Sequence, residues 1–367
     1  MHDVIIIGAG PAGTAAGYDL ASAGLSVLIL DRRNFPRKKA CAGGITPKGM
    51  AQFAYDISSF VHRTCREVKI TRPCGNSFLI KNKDPLCYMT RRMDLDAYTL
   101  EQAVHSGCRF MQVDKVTALK HDSDGVRIKL IKDNENTSLQ ARFLVGSDGA
   151  NSRVRTLLGL PRANGLKLPA LEADVRVKQP GDYPMEFDFS KGIPGYYWIF
   201  PKHDHVNIGI FGARSGVSMT RERLTAYAKE RLGTELLEDV KGYPIGVSRG
   251  KPCSGKGRVL LAGDAAGMAE PLFGEGIYFA LKSGRTAART ILQSIERTIS
   301  DSEDIQKHYI RLLKPMSKEL QLHQFGALIM YRFPGACLSL AANRFFHNHF
   351  SCGYAQGQTI SQMLSPF

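Results

Sequence analysis

The chain has 367 residues, 43% of them hydrophobic, and a formal net charge of +15. That length accommodates two domains with substantial cores, and no run of eighteen uncharged apolar residues suggests a membrane-spanning helix. Eight cysteines without a CxxC pair, a metal spacing or a secretory leader imply reduced thiols in the cytoplasm, which argues against a disulfide scaffold and a metal centre.

The chain opens with DVIIIGAGPAG, a short β-branched run that flows into Gly8, Gly10 and Gly13 and then a helix. The first glycine allows the tight turn, the second lets backbone approach a pyrophosphate and the third packs helix on strand. Ala12 is counted with them as a dinucleotide contact. The next strand, LSVLILD, ends on Asp31, where an acid meets a ribose hydroxyl. Arg32 either lies on the adenine or is solvated. The stretch DRRNFPRKKA at 31–40, with Lys48 behind it, is the densest basic patch. Positive residues elsewhere are scattered and no RNA or DNA module accompanies them, so nucleic acid is set aside as a partner. An anionic membrane surface, a diphosphate head group or a plain solvated face remain as readings of the patch.

CAGGIT at 41–46 offers Cys41, Ala42 and Gly44, small residues that admit a ring or substrate. Cys41 is either a buried structural thiol or faces the substrate. Its pairing with Cys87 is left open. Two strands of a second sheet follow at 65–90, and DLDAYTLEQAVHSG reads as a helix. Ahead of it, Arg92 can pair with a pyrophosphate or bridge backbone. Arg91 is the alternative, and an Asp96 cap with a solvated arginine is the bland one. FMQVDKVTAL and VRIKLIK read as strands, with Val116 taken as a cofactor contact. In FLVGSDGANSRVR at 143–155, Asp148 either caps its own turn or touches a ligand.

Residues 165–250 are strand-rich, and 220–239 reads as a helix capped by Thr220. In YYWIFP, the side chains of Tyr196, Trp198 and Phe200 share one strand face, followed by Pro201. They line a tunnel, shield a cofactor ring or form ordinary core. His203 and His205 are expected at the surface. The segment 262–285, AGDAAGMAEPLFGEGIYFALKSGR, places Asp264 at a strand end before Pro271, Gly274, Gly276 and a helix starting near Ile277. Such a turn sets backbone N–H groups against an anion while Asp264 accepts from a sugar hydroxyl. Helices are expected at 278–298 and 303–330. The tail 323–367 alternates apolar stretches with His and Arg, which suits an interfacial or tunnel-capping helix pair.

Together these motifs resemble the flavin-dependent family of the p-hydroxybenzoate hydroxylase type. CAGGIT, RRMDLD, YYWIFP and GDAAGMAEPLFGEGI resemble its geranylgeranyl reductase branch. Gly267 stands where hydroxylases commonly carry His. The resemblance, which covers roughly residues 1–300, implies an α/β fold in which a Rossmann-like FAD-binding domain (1–64, 91–160 and 251–300) interleaves with a substrate-binding sheet domain (65–90 and 161–250); residues 301–367 lie outside it and are expected as a C-terminal helical segment. The resemblance also implies FAD as cofactor, NAD(P)H or ferredoxin as electron donor, and hydrogenation of isoprenoid C=C bonds. Cys41 is then the catalytic candidate. The other FAD contacts fall at Gly8, Gly10, Ala12, Gly13, Asp31, Arg32, Ala42, Gly44, Arg92, Val116, Asp148, Asp264, Gly274, Gly276 and Ile277. Tyr196, Trp198, Phe200 and Pro201 would line the substrate site. A flavin monooxygenase and a non-catalytic lipid-binding relative are the rival readings. Localisation follows as cytoplasmic, with peripheral attachment to a membrane open.

Overall fold

A computed structural model of the chain describes residues 1–160, 165–248, 251–297, 299 and 301–364. The opening run His2–Ile7 has too few polar positions to face water. It becomes an inner strand, with Glu135–Gly146 and Val27–Asp31 parallel on its two sides. Val259–Leu261 and Arg109–Gln112 extend the parallel set outward. Helix Pro11–Ser22 packs on this sheet between helices Arg92–His105 and Ile277–Glu296. Gly284 makes the second crossing close, because a Cβ there would stand 2.1 Å from the Ala12 carbonyl oxygen.

A seven-stranded sheet forms the second layer system. Its order is Glu238–Ser248, Gly165–Val175, Val206–Gly212, Gly195–Pro201, Met185–Asp188, Glu67–Thr71 and Ser77–Lys81. All pairs are antiparallel except Met185–Asp188 with Glu67–Thr71. Strand Gly195–Pro201 is buried along its whole length. Tyr197 and Ile199 pack with Leu224 and Tyr227 of helix Arg221–Leu232, whereas Tyr196, Trp198 and Phe200 turn to the other face. A small third sheet joins Gly44–Ile45, Cys87–Thr90 and Val61–Cys65, bringing the CAGG segment against the sheet domain.

Helix 220–239 is shorter than its sequence suggests. Thr220 does cap it, accepting from Arg223 N, but Gly233 closes it at φ +70° and strand Glu238–Ser248 begins soon after. The C-terminal expectation extends slightly, to a helix over Ser302–Arg332, followed by Pro334–Ala341, Arg344–Ala355 and Ile360–Met363. No helix among the described residues is long and apolar enough to cross a membrane.

Candidate active site

The three glycines of the first turn divide their work. A Cβ on Gly8, at φ +104°, would lie 2.4 Å from the Ser147 carbonyl oxygen, and one on Gly13 would lie 1.9 Å from the Gly8 oxygen. Both positions are closed by protein. At Gly10 the nearest atom within 4 Å is the Arg37 guanidinium, at 3.8 Å. The second glycine therefore borders open space at a helix N-terminus that has no side-chain cap. Asp31 closes the neighbouring strand, its carboxylate accepting from Ala9 N at 2.8 Å and Arg33 N at 2.9 Å. Arg32 is exposed.

Asp264 lies opposite, in the one-turn segment Gly263–Ala266. Burial raises its carboxyl above the usual range, and the Lys39 and Arg92 cations oppose that shift. A Cβ on Gly276 would meet Asp264 Oδ1 at 3.6 Å, so this glycine too borders space. Glu270, which the sequence reading passed over, organises the intervening loop. Its buried carboxylate accepts from Leu272 N, Phe273 N and Glu275 N at 2.7, 2.8 and 2.9 Å. An acid placed just ahead of a Pro- and Gly-bearing loop was its only signal.

Arg92, not Arg91, points inward. Its fork grips the buried Asp96 through Nε at 2.7 Å and Nη2 at 2.8 Å, while Arg91 pairs at the surface with Asp94. Arg37 joins Asp96 at 3.2 Å. Asp96 is thus a shared anion for two guanidiniums, not a helix cap. Lys39 sits 3.1 Å from the Tyr243 ring centroid, and burial with Arg92 beside it pushes its ammonium down to about 8.

These inward turns correct the reading of 31–48 as one basic surface. Lys48 is buried and paired with Glu275 at 2.9 Å. Only Arg32, Arg33 and Lys38 of the cations in that stretch stay exposed, and Lys38 is spent on Asp239.

Asp148 shows the capping geometry. It accepts from Ser152 Oγ at 2.5 Å, Arg153 N at 2.6 Å and Val154 N at 3.1 Å. Arg153 Nε also reaches the Val116 carbonyl at 3.3 Å, tying both expected contact positions to this turn.

The CAGG segment is held by groups from remote strands. Cys41 N donates to Glu172 Oε1 at 2.8 Å, and Lys202 Nζ donates to the Ala42 carbonyl. Ala42 and Gly44 face the aromatic wall; a Cβ on Gly44 would stand 3.2 Å from the Phe200 ring. Cys41 and Cys87 are both free, and Cys87 stands across the strand pair from Cys65. Tyr196 donates to the Phe273 carbonyl at 2.5 Å, close to Gly274. Trp198 Nε1 donates to Asn207 Oδ1 at 2.8 Å, with its indole over Gly209. Pro201 ends the strand.

His205 corrects another expectation. It is only 8% exposed, with Nε2 3.3 Å from Asp174 and Nδ1 2.7 Å from Asp204. His203 is at the surface as expected. A polar pocket therefore adjoins Cys41 and Arg92, lined by Glu172, Asp174, Lys202 and His205.

In that pocket, burial pushes the Glu172 carboxyl up to about 7, with Asp174 adding to the shift while Cys41 N, Lys202 and Lys39 oppose it. An acid whose folded value exceeds its ordinary 4.5 contributes its stability fully below that value and loses it as pH rises through about 7. Glu172→Gln should therefore gain on the parent protein between about pH 5 and about pH 8. Denaturation midpoints measured at both values check this; a constant difference would contradict it.

Open space at Gly10 and Gly276, an uncapped helix N-terminus, and the inward cations Arg37 and Lys39 fit the pyrophosphate of a dinucleotide. The CAGG glycines instead pack on protein: a Cβ on Gly43 would stand 2.1 Å from the Thr90 carbonyl oxygen and one on Gly44 3.0 Å from Cys87 Sγ. The sequence model described as "FAD binding domain" matches residues 1–302. The chain belongs to this FAD-binding family. Menaquinone reductase of Mycolicibacterium smegmatis is 31% identical over 346 residues, covering 84% of this chain and 81% of that protein. Geranylgeranyl diphosphate reductase of Synechocystis is 30% identical over 313 residues, covering 79% and 75%. A geranylgeranyl bacteriochlorophyll reductase-like protein from Thermoplasma acidophilum superposes with a TM-score of 0.81 at 20% identity, covering 99% of this chain and 97% of that one. The protein is an FAD-dependent oxidoreductase of the geranylgeranyl reductase family, with the α/β architecture its motifs implied and the C-terminal helices expected from the pattern of its tail.

Proposed function

We propose that this oxidoreductase hydrogenates C=C bonds in the polyprenyl chain of a lipid or diphosphate. The observation that carries the proposal is the apposition of the Tyr196–Trp198–Phe200 wall to the Ala42–Gly44 segment. Those three buried rings, with Ala42 packed against their cluster, offer the apolar surroundings that a prenyl chain requires. The names of the two relatives, geranylgeranyl diphosphate reductase and menaquinone reductase, support a reductase, and the first supports a geranylgeranyl substrate.

An isolated trisubstituted alkene is electron-rich, so its reduction needs hydride at one carbon and a proton at the other, with positive character at the tertiary centre. Reduced FAD, when bound, supplies the hydride. The chain supplies the rest. Tyr196, Trp198 and Phe200 orient the alkene, exclude water and stabilise positive character through their ring faces. Cys41 Sγ is the candidate holder of the proton. The FAD contacts proposed for the chain are Gly10, Gly276 and Ile277 at the phosphates and ring edge, Asp31 and Asp264 at hydroxyl groups, and Arg92 beneath the CAGG segment. NAD(P)H and ferredoxin are the candidate electron donors.

The test is an anaerobic incubation of dithionite-reduced protein with geranylgeranyl diphosphate or a geranylgeranyl lipid, followed by mass spectrometry. The expected product gains two hydrogens per reduced bond and no oxygen. Oxygen incorporation from labelled O₂ in an aerobic run would favour a monooxygenase instead.

A further inference from the structure

Helix Ser302–Arg332 has an exposed face whose chemistry changes half-way along it. Arg311, Lys314 and Lys318 are exposed on the first part. Three- and four-residue steps continue the same face to Phe325, Leu328 and Ile329, which are 63, 67 and 41% exposed, and to Phe333 just past the helix end, at 57%. A helix covering a soluble domain ordinarily keeps its outer face polar throughout, and a contiguous apolar stripe marks a contact surface.

The opposite face of this helix roofs the aromatic wall. Met330 belongs to the same buried cluster as Tyr196 and Trp198. Tyr331 donates through its hydroxyl to the Leu272 carbonyl, and a Cβ on Gly326 would stand 3.6 Å from Leu272 Cδ2. The next residue, Phe273, is 40% exposed, and its ring lies 6.2 Å from that of Tyr196. Wall, loop and exposed stripe are therefore continuous.

We infer that the Phe325–Phe333 stripe and Phe273 seat in the interfacial layer of an anionic bilayer, and that this sets the membrane beside the aromatic wall at which the prenyl chain is reduced. The second half of the statement rests on the proposed prenyl substrate; the first does not. Three cations on the same face, with Arg332 beside Phe333, complement anionic head groups around an apolar tip. A second copy of the chain fits this face less well, because it would bring an identical row of cations and a net charge of +15 against the first.

Flavin-loaded protein should co-sediment with phosphatidylcholine–phosphatidylglycerol vesicles, weakly with phosphatidylcholine alone, and less in high salt. Phe325→Gln combined with Leu328→Gln removes two exposed side chains and should weaken that binding at least ~10-fold. Flavin content and unfolding midpoint should stay unchanged. Unchanged vesicle binding by the double variant, or equal binding to neutral vesicles at all salt concentrations, would overturn the inference. So would a parent protein that ignores vesicles and sediments as a dimer that the variant dissociates. If vesicle binding behaves as stated while no prenyl bond is reduced, the docking surface stands and the proposed substrate falls.

Discussion

Gly10→Val is expected to give a folded protein that purifies without flavin. Its apo-form should keep the parent unfolding midpoint, because a Cβ at this position meets only the tip of the flexible Arg37 side chain, at 3.8 Å. The isopropyl group instead occupies the space over the helix N-terminus that a pyrophosphate would use. Flavin affinity should fall at least about a hundredfold, or roughly 2.8 kcal/mol. Gly13→Val is the informative control. There the new Cβ would collide with the Gly8 carbonyl at 1.9 Å, a backbone clash that no rotamer relieves. That variant should fail to fold at all. Visible flavin absorbance and apo-protein unfolding, measured on the pair, separate cofactor space from packing space. Retention of a full complement of flavin by well-folded Gly10→Val would remove the case for the pyrophosphate crossing here.

Trp198→Ala should carry the largest stability cost of any substitution in the aromatic wall. The indole is buried within the cluster that includes Phe200, Phe211 and Met89. It also occupies the notch left by Gly209, where any Cβ would stand 2.0 Å from Trp198 Cζ2. Truncation leaves a cavity and strips Asn207 of the donor at its Oδ1; large-to-small changes of this kind cost roughly 3–5 kcal/mol. Trp198→Phe keeps most of the volume and should lose only the hydrogen bond and part of the packing, about 1–2 kcal/mol. If the wall also lines the substrate path, turnover of long prenyl substrates per folded, flavin-loaded molecule should fall for Ala and partly recover for Phe. Denaturant titration beside single-turnover rates measures both. A loss below about 1 kcal/mol for Trp198→Ala would show that the indole is not packed as described.

The framework of the fold was legible because it is written in local pattern. The β-branched opening run, the glycine spacing, the alternation in YYWIFP and the periodic helix after residue 302 each depend on neighbours within a few positions. What escaped the sequence depends on distance. Glu172 meets Cys41 across 131 residues, and Lys202 reaches Ala42 across 160. A lone acid in a strand carries no mark of the loop it will hold. The basic run at 31–48 misled for the same reason. Its cations are adjacent in the chain, but Arg37 and Lys48 are claimed by Asp96 and Glu275, which no local pattern announces. His205 was read from its turn, yet Asp174, on a strand further back in the chain, makes it a buried partner.

The attachment of the CAGG segment has a consequence for how the molecule comes apart. Gly44–Ile45 pairs with Cys87–Thr90, while Cys41 is tied to the strand that carries Glu172. The chain passes repeatedly between the two sheets, so no single peptide bond separates them. Neither half is an excisable module. Contacts of such long sequence separation form late and slowly, because much of the chain must be in place before any of them closes. Thermal melting should therefore proceed as one cooperative event spanning both sheets. During synthesis, the opening strand and its glycine turn must wait for Val259–Leu261 and the helix after it to emerge before their sheet is complete.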